Sequence, residues 1–154
     1  GSVLLNMRNM SDERRRAVTI SPDGVSRWST PRLDPALLEP RCFGSICRFT
    51  HRDADGTSRI LFCNPDNLSA SRPDHPHGFA DRKNLTIKMS EDECQTWPVS
   101  RTLEPGASGY ADLAIAPDKT ILCFYERGDL DGRPHYLTLA RFNLAWLTDK
   151  GQNP

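Results

Sequence analysis

The chain has 154 residues, in the range of one domain, and its 20 Lys+Arg balance 20 Asp+Glu. Zero net charge excludes the basic surplus expected of a nucleic-acid or anionic-membrane binder. A hydrophobic content of 37% and a mean hydropathy of -0.58 describe a polar but foldable chain, and no apolar run approaches the ~20 residues of a membrane span. Gly1-Ser2 has the look of a cloning scar. Val3-Leu4-Leu5 is too short and has no basic lead-in for a signal peptide, so the chain reads as a piece that starts mid-strand. In chain order, Val3 to Arg8 and Arg16 to Ser21 predict strands. Asp34-Pro35-Ala36-Leu37-Leu38 predicts one capped helical turn. Ser45 to Thr50 and Ile60 to Cys63 predict a hairpin, with Asp55-Gly56 in its loop. Asn84 to Ser90, Tyr110 to Ile115, Ile121 to Glu126 and Tyr136 to Phe142 complete the strands. Asn143 to Thr148 predicts a second short helical turn. Short strands, frequent turn signals and no long helical period specify an all-β fold.

Several features carry no site. Cys42, Cys47, Cys63, Cys94 and Cys123 are odd in number and contain no C-x-x-C pair, so they read as buried thiols rather than a disulfide framework or zinc ribbon. His75-Pro76-His77 lies in the long polar loop from Pro65 to Ala80. It is read as a solvated loop segment, and no metal and no cofactor are expected. Arg14-Arg15-Arg16 reads as a solvated strand end. Trp28, Trp97 and Trp146 read as core plugs rather than sugar-stacking platforms.

One internal repeat is informative. Ser21-Pro22-Asp23-Gly24-Val25-Ser26-Arg27-Trp28 and Ser90-Glu91-Asp92-Glu93-Cys94-Gln95-Thr96-Trp97 share the frame S-x-D-x-x-x-x-W, each after a predicted strand. The aspartate can accept backbone N–H bonds inside the turn, and the tryptophan can close it with a large apolar surface. Such boxes recur in β-propellers, whose blades are four-stranded meanders.

The frame resembles the Asp-box, or BNR repeat, of bacterial-type exo-α-sialidases (neuraminidases, glycoside hydrolase family 33). Val25 and Cys94 stand where that family favours Gly, and Arg27 where it favours Thr. Leu5-Asn6-Met7-Arg8-Asn9 resembles the strand carrying the second arginine of the family's carboxylate-binding triad. Arg82-Lys83-Asn84-Leu85-Thr86-Ile87 resembles the strand carrying the third, and Ser108-Gly109-Tyr110-Ala111-Asp112-Leu113 the segment with its nucleophilic tyrosine. Glu39-Pro40-Arg41-Cys42-Phe43-Gly44-Ser45-Ile46, Ile60-Leu61-Phe62-Cys63-Asn64-Pro65, Leu122 to Glu126 and Phe142-Asn143-Leu144-Ala145-Trp146-Leu147 are similar to further segments in the same order.

The resemblance implies a sialidase-type six-bladed β-propeller. The chain would be its last two to three blades: the end of blade four, then blades five and six, over residues 1–154. It implies Tyr110 as nucleophile, Arg8 and Arg82 as ligands of the substrate carboxylate, and Ser21, Asp23, Trp28, Ser90, Asp92 and Trp97 as structural box residues. Gly109 would let backbone approach a ligand closely. The expected partners are a sialylated glycan and the remaining blades of the same enzyme, with a secreted or periplasmic location. The family's first triad arginine, its acid/base aspartate and the glutamate that pairs with the tyrosine have no matching positions here. The 154 residues alone are therefore expected to be inactive. The alternative is a non-catalytic Asp-box propeller that binds glycans or a protein. A propeller lyase or glucanase fits the arginine and tyrosine segments less well.

Overall fold

The computed structural model describes residues 1–71, 81–128 and 134–149. The strands β1 (Val3–Met7), β2 (Arg15–Ser21) and β3 (Arg32–Leu38) form an antiparallel three-stranded sheet in that order. A second meander follows, with β4 (Ser45–Thr50), a single helical turn α1 (Arg52–Asp55), β5 (Arg59–Pro65), β6 (Lys83–Ser90) and β7 (Val99–Ile115). β7 has 17 residues and serves twice. Its first half, to Ala107, pairs with β6. From Ser108 onward it pairs with β8 (Ile121–Gly128), which pairs in turn with β9 (Pro134–Phe142). Helix α2 (Leu144–Thr148) closes the described chain, capped by the Asn143 side chain, which accepts from Trp146 N–H at 2.9 Å.

Most predicted strands are present, and the Asp55-Gly56 hairpin turn is built as α1 ending on left-handed Gly56 (φ 74). Asp34–Leu38 is different. It was expected to be a helical turn and is part of strand β3. The capping bond exists, since Asp34 Oδ1 accepts Ala36 N–H at 3.0 Å. It stabilises a bulge instead: Arg16 faces Asp34 and Arg15 faces Leu38, leaving Pro35 to Leu37 unmatched. Arg16 is a second correction. It is not solvated but 2% exposed, paired with the fully buried Glu39. The hydrophobic signal misses it because a buried arginine needs a carboxylate that sequence proximity does not reveal. His75-Pro76-His77 lies outside the described residues.

The core is split by β6. Leu85, Ile87 and Met89 point to one side and join Leu61, Cys63, Leu113, Ile121 and Cys123 in an apolar cluster between β4–β7 and the β7–β9 meander. Their neighbours Thr86, Lys88 and Ser90 are buried on the other face, toward the first sheet. There Lys88 Nζ reaches Ala36 O at 2.7 Å and Asp66 Oδ1 at 2.8 Å, and Trp97 Nε1 donates to Asp34 Oδ2 at 3.2 Å. All five cysteines are free. Burial pushes the Cys42 and Cys47 thiols up to about 11 and Cys94 to about 12, which keeps them protonated and inert.

Candidate active site

Each Asp-box is a turn stapled by its own side chains. In the first, Ser21 Oγ donates to Asp23 Oδ1 (2.9 Å), and Asp23 Oδ1 accepts Val25 N–H (3.0 Å) and Ser26 N–H (2.8 Å). In the second, Ser90 Oγ donates to Asp92 Oδ1 (2.8 Å), and Asp92 Oδ1 accepts Gln95 N–H (3.1 Å) and Thr96 N–H (2.8 Å). The boxes have the same length but a different inner register. Ser26 donates its hydroxyl to Asp23 Oδ2 at 2.7 Å, as Thr96 does to Asp92 Oδ2 at 2.6 Å. So Ser26, and not Arg27, does the work of the threonine. The left-handed residues differ accordingly: Gly24 (φ 74) and Arg27 (φ 52) in one box, Glu93 (φ 59) and Cys94 (φ 65) in the other. Hydrogen bonds from Thr96 hydroxyl and N–H hold the Asp92 carboxyl down at about 2, and those from Ser26 and Val25 hold Asp23 lower still.

The tryptophans of the two boxes diverge. Trp97 is 9% exposed and tucks against Phe62, with ring centroids 5.9 Å apart. Trp28 is 37% exposed, which corrects its reading as a core plug. It lies in the turn between β2 and β3. Trp146 is half-buried, with its ring 4.7 Å from Phe142.

The three residues singled out for chemistry come together. Arg8 follows the end of β1, Arg82 precedes β6, and Tyr110 lies in the second half of β7. Arg8 Nη1 stands 3.5 Å from Tyr110 Oη, and the Arg82 guanidinium lies 5.3 Å from the Tyr110 ring centroid. Tyr110 is 44% exposed. Among the described residues, neither Arg8 nor Arg82 forms an ion pair with a carboxylate. Arg82 is held from behind by Arg41, whose left-handed backbone (φ 61) turns its carbonyl to accept Arg82 Nη2 at 3.0 Å. Ser108 N–H in turn donates to Arg82 O at 2.9 Å, so the arginine and the tyrosine strand are locked together.

Two neighbours were quoted in the motifs but given no role there. The exposed Phe43 ring stands 5.7 Å from Tyr110. Glu126 on β8 accepts Tyr110 N–H through Oε2 at 2.9 Å. A Cβ at Gly109 would collide with the Glu126 carboxylate, so the glycine makes room for that side chain. The signal for both was the motif segments themselves, because neither is near Tyr110 in sequence. Phe43, Tyr110, Asp112, Phe124, Glu126 and Leu137 line an open groove of about 260 Å³. Among the described residues no group of three or more His, Cys, Asp or Glu is arranged to hold a metal ion, and no helix is long and apolar enough to cross a membrane.

Two cationic, planar guanidiniums beside a phenol can bind an anionic group in two-point contacts. Comparisons with known proteins point the same way. No protein-family profile matches the chain. It is 35% identical over 150 residues to a sialidase of Micromonospora viridifaciens, covering 96% of this chain and 21% of that protein. It is 29% identical to mouse sialidase-3, covering 84% of this chain and 37% of that one. Among solved structures, a Hadza microbial sialidase superposes with a TM-score of 0.73 at 27% identity, over 96% of this chain and 26% of its own. An intramolecular trans-sialidase from Ruminococcus gnavus, in complex with oseltamivir carboxylate, gives a TM-score of 0.73 at 21% identity, over 97% and 32%. The chain thus spans between a fifth and two-fifths of the length of these relatives.

Proposed function

The chain is a sialidase-like β-propeller segment, and we propose that it supplies the nucleophile and two carboxylate-binding arginines of an exo-α-sialidase that releases terminal sialic acid with retention. The observation that carries this reading is the convergence of Arg8 and Arg82 on the exposed Tyr110 hydroxyl and ring. Sialic acid carries a carboxylate on its anomeric carbon. Arg8 and Arg82 bind that group and fix the sugar over Tyr110, staying charged at any working pH. A carboxylate nucleophile would be repelled there, whereas a neutral phenol is not, which is the exception sialidases make to the two-carboxylate scheme.

In the reaction, Tyr110 Oη bonds to the anomeric carbon while the bond to the leaving oxygen breaks. The phenol proton passes to a carboxylate, and the leaving oxygen takes a proton from an acid. Water then attacks the same carbon from the face just vacated, giving its proton to the now deprotonated acid, while the bond to Tyr110 Oη breaks and the phenolate takes its proton back from the carboxylate; the sugar leaves with retained configuration. The base and acid would come from propeller residues with no matching positions in these 154 residues. The exposed Phe124, Leu137 and Leu139 on β8–β9, and Val3 and Leu5 on β1, support this reading, since further blades would cover both faces.

The test is made in the propeller that carries this segment. Tyr110→Phe should abolish most turnover with little change in stability, and a fluorinated sialosyl donor should leave its adduct on Tyr110. A label on another residue overturns the assignment. Arg82→Lys should raise KM and cost roughly 2–4 kcal/mol in kcat/KM, because a planar two-point contact becomes a point charge. Unchanged kinetics would remove Arg82 from the site.

A further inference from the structure

We propose that the buried Arg16–Glu39 pair fixes the separation between Arg8 on one sheet and Arg82 with Tyr110 on the next, which makes Arg16 and Glu39 positioning residues for the carboxylate clamp. The inference rests on the site reading above and assigns a role to residues outside it. Arg8 directly follows β1 of the first sheet, Arg82 directly precedes β6 of the second, and Tyr110 lies on β7. Among the described residues no backbone ladder joins the two sheets. Their relative placement at the site is set by the chain that connects β3 to β4 and by side chains that hold it.

One guanidinium ties the Arg8 strand to that connecting loop. Arg16 Nε donates to Asn6 Oδ1 at 2.6 Å, and Nη2 donates to Asn6 O at 3.2 Å. Asn6 lies on β1, two residues before Arg8. At its other end Arg16 Nη1 donates to Glu39 Oε2 at 2.6 Å and to Cys42 O at 3.1 Å. Glu39 Oε1 accepts Cys42 N–H at 3.0 Å. Cys42 lies between two residues that touch the other half of the site. Arg41 presents its carbonyl to Arg82, and Phe43 packs its ring on Tyr110. A rigid, planar group with directed donors therefore spans from the Arg8 strand to the loop that seats Arg82 and Tyr110.

The geometry is demanding. Guanidinium donors have fixed directions, so a lysine at position 16 could keep the charge and still lose the span. Arg16 and Glu39 are both almost fully buried, which removes water as a substitute partner. Neither residue can touch a substrate, so their effect must appear through Arg8.

The experiment measures, in the propeller carrying this segment, inhibition by N-acetylneuraminic acid and by its methyl ester, in which the carboxylate charge is removed. The preference for the free acid reads the clamp itself. Arg8→Lys and Arg82→Lys serve as references and should shrink that preference. Arg16→Lys and the milder Asn6→Ala should shrink it as well, by about tenfold for Arg16→Lys, with a raised KM and a kcat within about threefold among molecules that remain folded. If the reference variants shrink the preference while Arg16→Lys and Asn6→Ala leave it intact, the positioning role is overturned, whatever happens to Tm. If the references themselves leave it intact, the site reading is what fails. Should Arg16→Lys not fold, Asn6→Ala decides alone, because it removes one bond at the Arg8 strand and leaves the ion pair in place.

Discussion

β6 has two buried faces, and they hold their neighbours in different ways. Toward β7–β9 it presents Leu85, Ile87 and Met89 to an apolar cluster. Toward the first sheet it presents Thr86, Lys88 and Ser90, and that boundary is crossed by Lys88 to Ala36 O, Trp97 to Asp34 and Asn64 to Leu38 O (2.7 Å), while Arg16 ties the first sheet to Glu39 and Cys42 in the loop beside it. Apolar packing is tolerant of small shifts, because dispersion and burial are not directional. Hydrogen-bonded ion pairs are not tolerant, and they set distance and angle. The polar boundary is the one across which the site is assembled, with Arg8 on one side and Arg82 and Tyr110 on the other. The apolar boundary carries bulk cohesion, and the polar one carries alignment.

The largest expected effect tests the polar side. Glu39→Ala leaves the Arg16 guanidinium buried without its counter-charge and should cost about 3–5 kcal/mol in urea unfolding. Replacing both partners at once, Arg16→Met with Glu39→Leu, should recover most of that stability. It should not recover the preference for a carboxylate ligand, if alignment rather than cohesion is what the pair supplies. Full recovery of both would erase the contrast between the two faces.

On the apolar side, Ile87→Ala should cost about 2–4 kcal/mol, from lost burial and a partly relaxed cavity. Here the carboxylate preference should survive in the folded fraction, since no directed contact to Arg8, Arg82 or Tyr110 is removed. Loss of that preference would show that both boundaries align the site.

The two boundaries were not equally legible in the sequence. Alternation in Leu85, Ile87 and Met89 announces a strand with an apolar face, and hydrophobic pattern found nearly every strand. The opposite face, Thr86, Lys88 and Ser90, reads as solvent-facing by the same rule, yet it is buried. A polar residue is buried only where a partner waits, and partners such as Ala36 O and Asp66 for Lys88 are distant along the chain. The same blindness made Arg16 a surface residue and Asp34–Leu38 a helical turn. Arg8, Arg82 and Tyr110 were found from motif resemblance, because no local pattern marks an arginine that is going to meet a tyrosine across two sheets. Glu126 and Phe43 lay inside quoted motifs without roles, since only the fold shows what each one touches.

The smallest expected effect lies outside both boundaries, in the Asp-box turns, and it concerns pH. Hydrogen bonds from Thr96 hold the Asp92 carboxyl at about 2, and the Arg48 guanidinium and Ser58 hydroxyl hold Glu93 at about 2. In the unfolded chain these groups titrate near their ordinary values, about 4. A carboxyl whose folded value is depressed stabilises the fold above its unfolded value. That stabilisation is lost as pH falls through the folded value. Urea midpoints should therefore hold steady down to about pH 4 and decline toward pH 2. Both groups sit at the surface, where water screens their interactions, so the decline should be shallower than the loss in either boundary variant. Asp92→Asn should flatten part of the decline while lowering the midpoint at neutral pH. The amide keeps one acceptor for the Gln95 and Thr96 N–H groups but has no charge to lose. An unchanged slope in Asp92→Asn would mean that acid acts elsewhere in the fold.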